Sequence, residues 1–173
     1  MRIQYLLLLS ATLALALIGV WLQAALPRPA AAETTTADSV FVDKSDRRLE
    51  LRRDGRVLRT YEIALGGDPI GAKRQEGDGR TPEGRYVIDF RKADSAYHLS
   101  LHLTYPNDDD LARSAALNVP PGGDIFIHGL PNYYPLGTAP KVDWTQGCIA
   151  LDNDEIEEVW RLVPDGTPIE IVP

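Results

Sequence analysis

The stretch YHLSLHLTY, residues 97–105, decides the fold class of this chain. Its apolar residues occupy every second position from Tyr97 to Tyr105. Because the side chains of a β-strand point alternately to its two faces, this spacing predicts a strand over Tyr97–Tyr105 with one apolar face. His98 and His102 would then lie on the other face, about 13 Å apart, which is too far for both to bind one metal ion.

Shorter alternating segments on both sides of this stretch extend the β prediction. Asp54 and Gly55 stand between two of them and suit the positive φ angles of a two-residue hairpin turn. The predicted strands are Ser39–Asp43, Arg47–Arg53, Arg56–Leu65, Arg85–Phe90, Tyr97–Tyr105, Asp124–His128 and Thr167–Val172. The sequence therefore predicts a mostly β (α+β) fold, with one domain over residues 39–173.

Two helices are predicted among the strands. Asp152–Val163 opens with an acidic residue three positions before Glu155, as in a capping box, and carries an apolar face that includes Trp160. The segment Asp108–Ala116 is a second, short helix. The acidic run at its start, residues 107–110, indicates a helix cap rather than a calcium loop, because the Gly and Glu spacing of an EF-hand does not follow.

Residues 1–32 form a long apolar segment that begins near Arg2 and ends in three alanines, residues 30–32. A basic start, an apolar run and an Ala-x-Ala site are typical of a secretory signal peptide. The run also approaches the ~20 residues that span a bilayer, so an N-terminal membrane anchor is the alternative. Both interpretations predict a periplasmic or other extracytoplasmic protein, secreted or anchored by this segment. The polar residues 33–38 are expected to form a linker.

The charge of the chain argues against two classes of partner. The chain has 18 basic and 25 acidic residues, a net charge of −7. Residues 1–32 contain two of the arginines and no acid, so removing them leaves 16 basic residues and a net charge of −9. Nucleic acids and anionic membrane surfaces require positive charge, so neither is expected as a partner, and membrane contact is expected only through the N-terminal segment.

Cys148 is the only cysteine of the chain. In an oxidising compartment a lone thiol cannot form an internal disulfide, which indicates reactivity, although a small buried hydrophobic residue is the alternative. His128, twenty residues upstream, ends a predicted strand and would accept the thiol proton. Gly129 would let the backbone turn sharply after His128. Gly147 has no Cβ and would let an acyl substrate approach the backbone amides near Cys148 that hold the developing oxyanion.

Three segments of the chain resemble the L,D-transpeptidase (YkuD-domain) family. The first is His128-Gly129 followed by Thr145-x-Gly147-Cys148-Ile149, and the others are GRTPEGRY (residues 79–86) and GTPIEI (residues 166–171). The resemblance covers nearly all of residues 39–173. It implies a β-sandwich or barrel-like domain with a catalytic groove at the sheet end, Cys148 as nucleophile and His128 as general base and acid. A backbone carbonyl near Gly129 would fix the histidine tautomer.

The chain departs from the family pattern at two positions. Gln146 stands where most members have a second histidine, and Ala150 stands where asparagine or arginine is usual. Both residues resemble a YafK-like subgroup, which includes an enzyme that releases a lipoprotein from peptidoglycan.

The resemblance implies a cysteine-dependent L,D-transpeptidase that acts on peptidoglycan stem peptides through a thioacyl-enzyme, with no metal or organic cofactor. An amidase or hydrolase acting on lipoprotein-linked peptidoglycan is the alternative within enzymes. A non-catalytic cell-wall binding domain is the alternative from another class, and a zinc peptidase is a third possibility.

Further residues are candidates for substrate binding. The predicted loop Gly66–Gly84 carries cations that would hold substrate carboxylates or simply remain solvated. Tyr133 and Tyr134 would either cover the groove or pack their own loop. The full set of candidates is Lys73, Arg74, Arg80, Tyr133, Trp144, Thr145 and Gln146.

Overall fold

The computed structural model describes residues 35–134, 140 and 142–173. The predicted signal peptide or membrane anchor at residues 1–32 lies outside the described residues, as do residues 33 and 34 of the predicted linker. No helix in the described part of the chain combines the length and the apolar character that a bilayer crossing requires.

The described residues contain eight strands and two helices, which we number in chain order. The strands are β1 (Ser39–Asp43), β2 (Arg48–Arg53), β3 (Arg56–Glu62), β4 (Gly84–Ser95), β5 (His98–Leu103), β6 (Phe126–His128), β7 (Ile149–Ala150) and β8 (Thr167–Val172), and the helices are α1 (Asp108–Leu117) and α2 (Asn153–Leu162).

The strands form one sheet in the order β3-β2-β1-β8-β4-β5-β6-β7. The pairs β1–β8 and β6–β7 are parallel, and the other neighbours are antiparallel. The two ends of the sheet meet, because Ala64 beyond β3 pairs with Ala150 of β7 through two N–H···O bonds of 2.9 and 3.0 Å. Gly66 and Thr145 form a second bridge. The sheet therefore curls into the barrel-like form that the sequence predicted.

The apolar alternation of β5 fills the core as predicted. Leu101 and Leu103 are fully buried. Helix α2 lies over the same core with the buried residues Ile156 and Val159, and Trp160 packs against it while partly buried. The alternating pattern of β5 and the helical pattern of α2 therefore identify a strand and a helix that form part of the core.

The N-terminal end of the predicted strand Tyr97–Tyr105 differs from the prediction. His98 has φ 60°, a left-handed conformation that interrupts the alternation of side chains. Tyr97 therefore leaves the core face and is 40% exposed, with its ring centroid 4.5 Å from that of His128. The prediction that Tyr97 shares the buried face was wrong.

Other differences concern the ends of elements. Strand β4 extends to Ser95, well beyond the predicted end at Phe90. Strand β6 begins at Phe126 rather than Asp124, because Asp124 has φ 54°. Strand β7 has two residues, too few for an alternating pattern to reveal it. The hairpin turn is as predicted, with φ 50° at Asp54 and 73° at Gly55.

Both helix starts are as predicted. Asn107 and Asp110 form a capping box at α1, in which Asp110 donates its amide to the Asn107 side chain at 3.0 Å. At α2 the Asp152 amide donates to Glu155 at 3.2 Å. The acidic run before α1 is therefore part of a helix cap.

Lys44, which directly follows β1, holds the long loop of residues 66–83. Its side chain is 2% exposed, and its ammonium donates to Gly71 O at 2.7 Å, Thr81 O at 3.0 Å and the Glu83 carboxylate at 2.8 Å. The buried Thr81 hydroxyl in turn accepts from the Gly66 amide at 3.1 Å. Because one cation binds three points of the loop, the loop keeps a fixed shape without a helix or strand of its own.

We expect the Lys44→Met variant to lower the free energy of unfolding by about 3 kcal/mol, since it leaves a partly buried carboxylate and two carbonyls without their donor. Urea denaturation measures this change. The control is Arg85→Met, which removes the exposed pair with Glu170 and should cost less than about 1 kcal/mol. Equal losses in the two variants would contradict this role of Lys44.

Candidate active site

Strands β6 and β7 bring Cys148 and His128 to one face of the sheet. Ile127 pairs with Ile149 and His128 with Ala150, so Cys148 lies level with Phe126, two residues before the histidine. Neighbouring strands are about 4.8 Å apart and rise about 3.3 Å per residue, which puts the two Cα atoms about 8 Å apart. Because alternate residues share a face, both side chains point to the same side and can meet.

Both side chains line one cavity of about 490 Å³. Its other lining residues include four that were predicted from the sequence to bind substrate, Tyr133, Trp144, Thr145 and Gln146. A second cavity, of about 420 Å³ near Arg47 and Asp143, has no cysteine or histidine among its described lining residues. The first cavity is therefore the candidate active site.

His128 is held in one tautomer by its own backbone. Its side chain is buried, and Nδ1 lies 2.7 Å from Gly129 O. A carbonyl oxygen can only accept, so Nδ1 carries the hydrogen and Nε2 keeps a free lone pair. Burial lowers the pKa of His128, and the bond to Gly129 partly opposes that shift. The imidazole is therefore neutral near neutral pH and able to accept a proton.

Cys148 rests as a thiol. Burial raises its pKa most strongly, and the Asp124 carboxylate raises it further. The hydrogen bond from the Phe126 backbone and the charge of Lys73 lower the pKa, but the net shift is upward. The thiol donates weakly to Asp124 O at 3.7 Å. The free protein therefore holds a neutral thiol and a neutral imidazole rather than an ion pair.

The turn before Cys148 is shaped by Thr145 and Gly147. The Thr145 hydroxyl donates to Cys148 O at 2.7 Å and accepts from the Gly147 amide at 3.1 Å. Gly147 has φ 126°, and a Cβ there would lie 2.6 Å from Arg80 O. Thr145 therefore fixes the turn, and only glycine fits at the position before Cys148.

The two glycines have their own amides engaged within the protein. The Gly147 amide is already bound to Thr145, and the Gly129 amide lies 3.2 Å from Tyr97 O and 3.1 Å from Leu99 O. At Gly129 a Cβ would lie 2.8 Å from Asn153 Oδ1. Both glycines therefore permit close packing, while their own amides are engaged elsewhere.

The loop cations do not reach the cavity. Lys73 is 3% exposed and pairs with Asp78 at 2.8 Å, and Arg80 pairs with Asp68 at 3.0 Å. Neither lines the cavity. Arg74 contributes its backbone amide to Asp78 at 2.7 Å. The hydrogen bonds of these residues therefore support the loop, and none of the three residues lines the cavity.

Several cavity residues were not predicted from the sequence. Phe126 and Ser100 lie on the cavity face, and Tyr97 contacts the His128 ring. The alternation of β6 could have revealed Phe126, two residues before His128, and the polar positions of β5 could have revealed Ser100. Tyr97 gives no such signal, because the left-handed residue after it changes its face.

The remaining histidines have separate partners. His98 Nε2 lies 2.8 Å from Glu157, and His102 Nδ1 lies 2.7 Å from Asp89. Within the described ranges, no group of three His, Cys, Asp or Glu side chains is arranged to hold a metal ion.

Comparisons with known proteins agree with this geometry. The family model of the L,D-transpeptidase catalytic domain, YkuD, matches residues 37–171. YafK of Escherichia coli (strain K12), named as an L,D-transpeptidase, is 28% identical over 110 residues, which are 62% of this chain and 37% of YafK. YkuD of Bacillus licheniformis, with the same family name, is 27% identical over 139 residues, 78% of this chain and 65% of that protein.

Solved structures show the same fold. The helical cell shape determining protein Pgp2 from Campylobacter jejuni has 29% identity and a TM-score of 0.57, over 76% of this chain and 46% of Pgp2. An L,D-transpeptidase from Xylanimonas cellulosilytica has 18% identity and a TM-score of 0.53, over 84% of this chain and 64% of that one. The chain spans 37% of YafK, so it matches only part of that relative. Because the family model covers most of its length, the chain belongs to the L,D-transpeptidase catalytic domain (YkuD) family, with YafK-like proteins among its relatives.

Proposed function

We propose that this protein is a cysteine-dependent L,D-transpeptidase that acts on peptidoglycan stem peptides through a thioacyl-enzyme. The observation that supports this most is the cavity shared by Cys148 and His128, in which the Gly129 carbonyl leaves Nε2 as a base. Family membership supports cell-wall peptides as the substrate and a site of action outside the cytoplasm.

In the first half-reaction His128 Nε2 takes the thiol proton, and Cys148 Sγ bonds to the carbonyl carbon of the donor peptide. The carbonyl oxygen becomes an oxyanion, which backbone amides near Cys148 other than the Gly147 amide would stabilise. When the intermediate collapses, the carbon–nitrogen bond breaks and His128 returns its proton to the leaving amine. The product is a thioester on Cys148.

In the second half-reaction an acceptor amine enters the cavity and gives a proton to His128 as it attacks the thioester carbon. The carbon–sulfur bond breaks, and the thiolate recovers the proton from the imidazole. The neutral resting state suits this cycle, since His128 passes the thiol proton to the leaving amine and later passes a proton of the acceptor amine back to Cys148, so that no net charge has to enter the buried site. Water in place of the amine would give hydrolysis.

A second candidate function is the release of a lipoprotein from peptidoglycan. It is favoured by Gln146, an exposed cavity residue where most family members have histidine, and by the likeness to YafK. Incubation with muropeptides and with lipoprotein-linked peptidoglycan separates the two functions. New cross-links support the transpeptidase, and free lipoprotein without cross-links supports the amidase.

We expect the Cys148→Ala variant to lose turnover of purified tetrapeptide muropeptides by at least about 10³-fold, because it removes the nucleophile. Chromatography with mass spectrometry measures the products, and the circular dichroism and Tm of the variant should match those of the parent. His98→Asn is the control, since asparagine tolerates the left-handed backbone and His98 pairs with Glu157. Wild-type turnover by the alanine variant would exclude this mechanism.

The pH dependence of Cys148 alkylation tests the neutral resting state. Because its pKa is raised, the thiolate is scarce at neutral pH, and the rate with iodoacetamide should rise about tenfold per pH unit between pH 6 and 8. The midpoint should lie above that of a small-molecule thiol measured alongside. A rate that is flat from pH 5 to 7 would show a thiolate–imidazolium pair and contradict the assignment.

A further inference from the structure

A row of paired residues crosses the sheet at the level of His128. Lys92 of β4 pairs with Ser100 of β5, Ser100 pairs with His128 of β6, and His128 pairs with Ala150 of β7. Directly paired residues of neighbouring strands point to the same face. Lys92 therefore projects from the same side of the sheet as the proposed base.

Lys92 brings a positive charge to the lining of the cavity. Among the described residues that line the cavity it is the one lysine or arginine. Its side chain is exposed, and in the described part of the chain no carboxylate lies within ion-pair distance of its ammonium. The loop cations Lys73 and Arg80, by contrast, are paired with aspartates. In a chain with a net charge of −7, the cavity thus offers one cation to a ligand.

The separation of the Lys92 and His128 Cα atoms leaves room for one substrate residue between the two side chains. Two strand spacings put their Cα atoms about 10 Å apart. The lysine stem has four carbons and spans about half of that distance. The stem is long enough to bend over the cavity that both residues line, so the Lys92 ammonium can approach an anionic group of a ligand that contacts His128.

The chemistry of the proposed reaction identifies the group that fits there. His128 protonates the nitrogen of the leaving amine, and in an α-amino acid the next carbon carries the carboxylate. That carboxylate can then reach Lys92, which lines the same cavity as His128. We infer that Lys92 binds the α-carboxylate of the terminal amino acid that the donor peptide releases, so that it determines specificity for a free peptide C-terminus. This inference rests on the proposed function.

The inference distinguishes between classes of leaving group. A terminal amino acid has its carboxylate one carbon from the nitrogen, whereas the amine at the end of a lysine side chain has none there. Lys92 would therefore favour release of a terminal amino acid over release of a protein joined through a lysine side chain.

Two tetrapeptide stems test the inference, one with a free C-terminal carboxylate and one with a neutral C-terminal amide. The wild type should prefer the free acid in kcat/KM by about tenfold or more, as expected for a charge-assisted hydrogen bond. Lys92→Met should remove this preference by lowering activity on the acid alone, and Lys92→Arg should keep it. The control Arg56→Met removes an exposed cation at the start of β3 and should change neither substrate.

Binding separates failure of the inference from failure of the proposed function. In the Cys148→Ala background, Lys92→Met should weaken binding of the free acid about tenfold and leave the amide unchanged, without any turnover. Equal effects on both peptides would overturn the inference while leaving the acyl transfer intact. A wild type that turns over neither peptide would overturn the proposed function and the inference with it. The rate at which iodoacetamide alkylates Cys148 should be the same in the wild type and in the Lys92→Met variant.

Discussion

The site depends on a backbone contact that leaves no room for side chains. A Cβ on Gly66 would lie 2.0 Å from Gly79 O, and one on Gly147 would lie 2.6 Å from Arg80 O. Three distant parts of the chain therefore meet at the seam where the sheet closes on itself, and Cys148 is the next residue along. The buried ammonium of Lys44 supports this seam from behind, because it holds Thr81, the neighbour of Arg80. The position of Cys148 is thus a consequence of sheet closure.

Much of the fold was predictable because local patterns agree with it. The alternation around Leu101, the Asp54-Gly55 turn and the capped helix α2 each appear where the sequence placed them. What local patterns could not show was the closure. Strand β7 is too short to carry a pattern, and its pairing with Ala64 joins residues far apart in sequence. Left-handed residues also changed the faces and ends of strands, and the residue type of His98 is only a weak indication of such a φ.

The cysteine and histidine of the candidate site could be predicted from the sequence, whereas several residues around them could not. Cys148 and His128 were identified from residue type, spacing and family resemblance, and the structure places them on one cavity. The loop cations were candidates for substrate binding. The charge of a residue alone does not show whether its side chain faces a ligand or, as Lys73 does, an aspartate of the protein, Asp78. Lys92 could not be predicted as a cavity residue from the sequence. Its alignment with His128 depends on two strand pairings and on an irregularity in β4, which are visible only in the fold.

The resting protonation state and the pairing of the strands lead to one claim, that a neutral thiol and a neutral imidazole share a proton during acyl transfer. Rapid-quench mass spectrometry of the wild-type protein mixed with a tetrapeptide stem tests this claim most directly. The account predicts a transient mass increase equal to the acyl tripeptide, mapped to Cys148 and absent when His128 is replaced by asparagine. Product formation with no adduct on Cys148, or an adduct that forms as fast without His128, would contradict it.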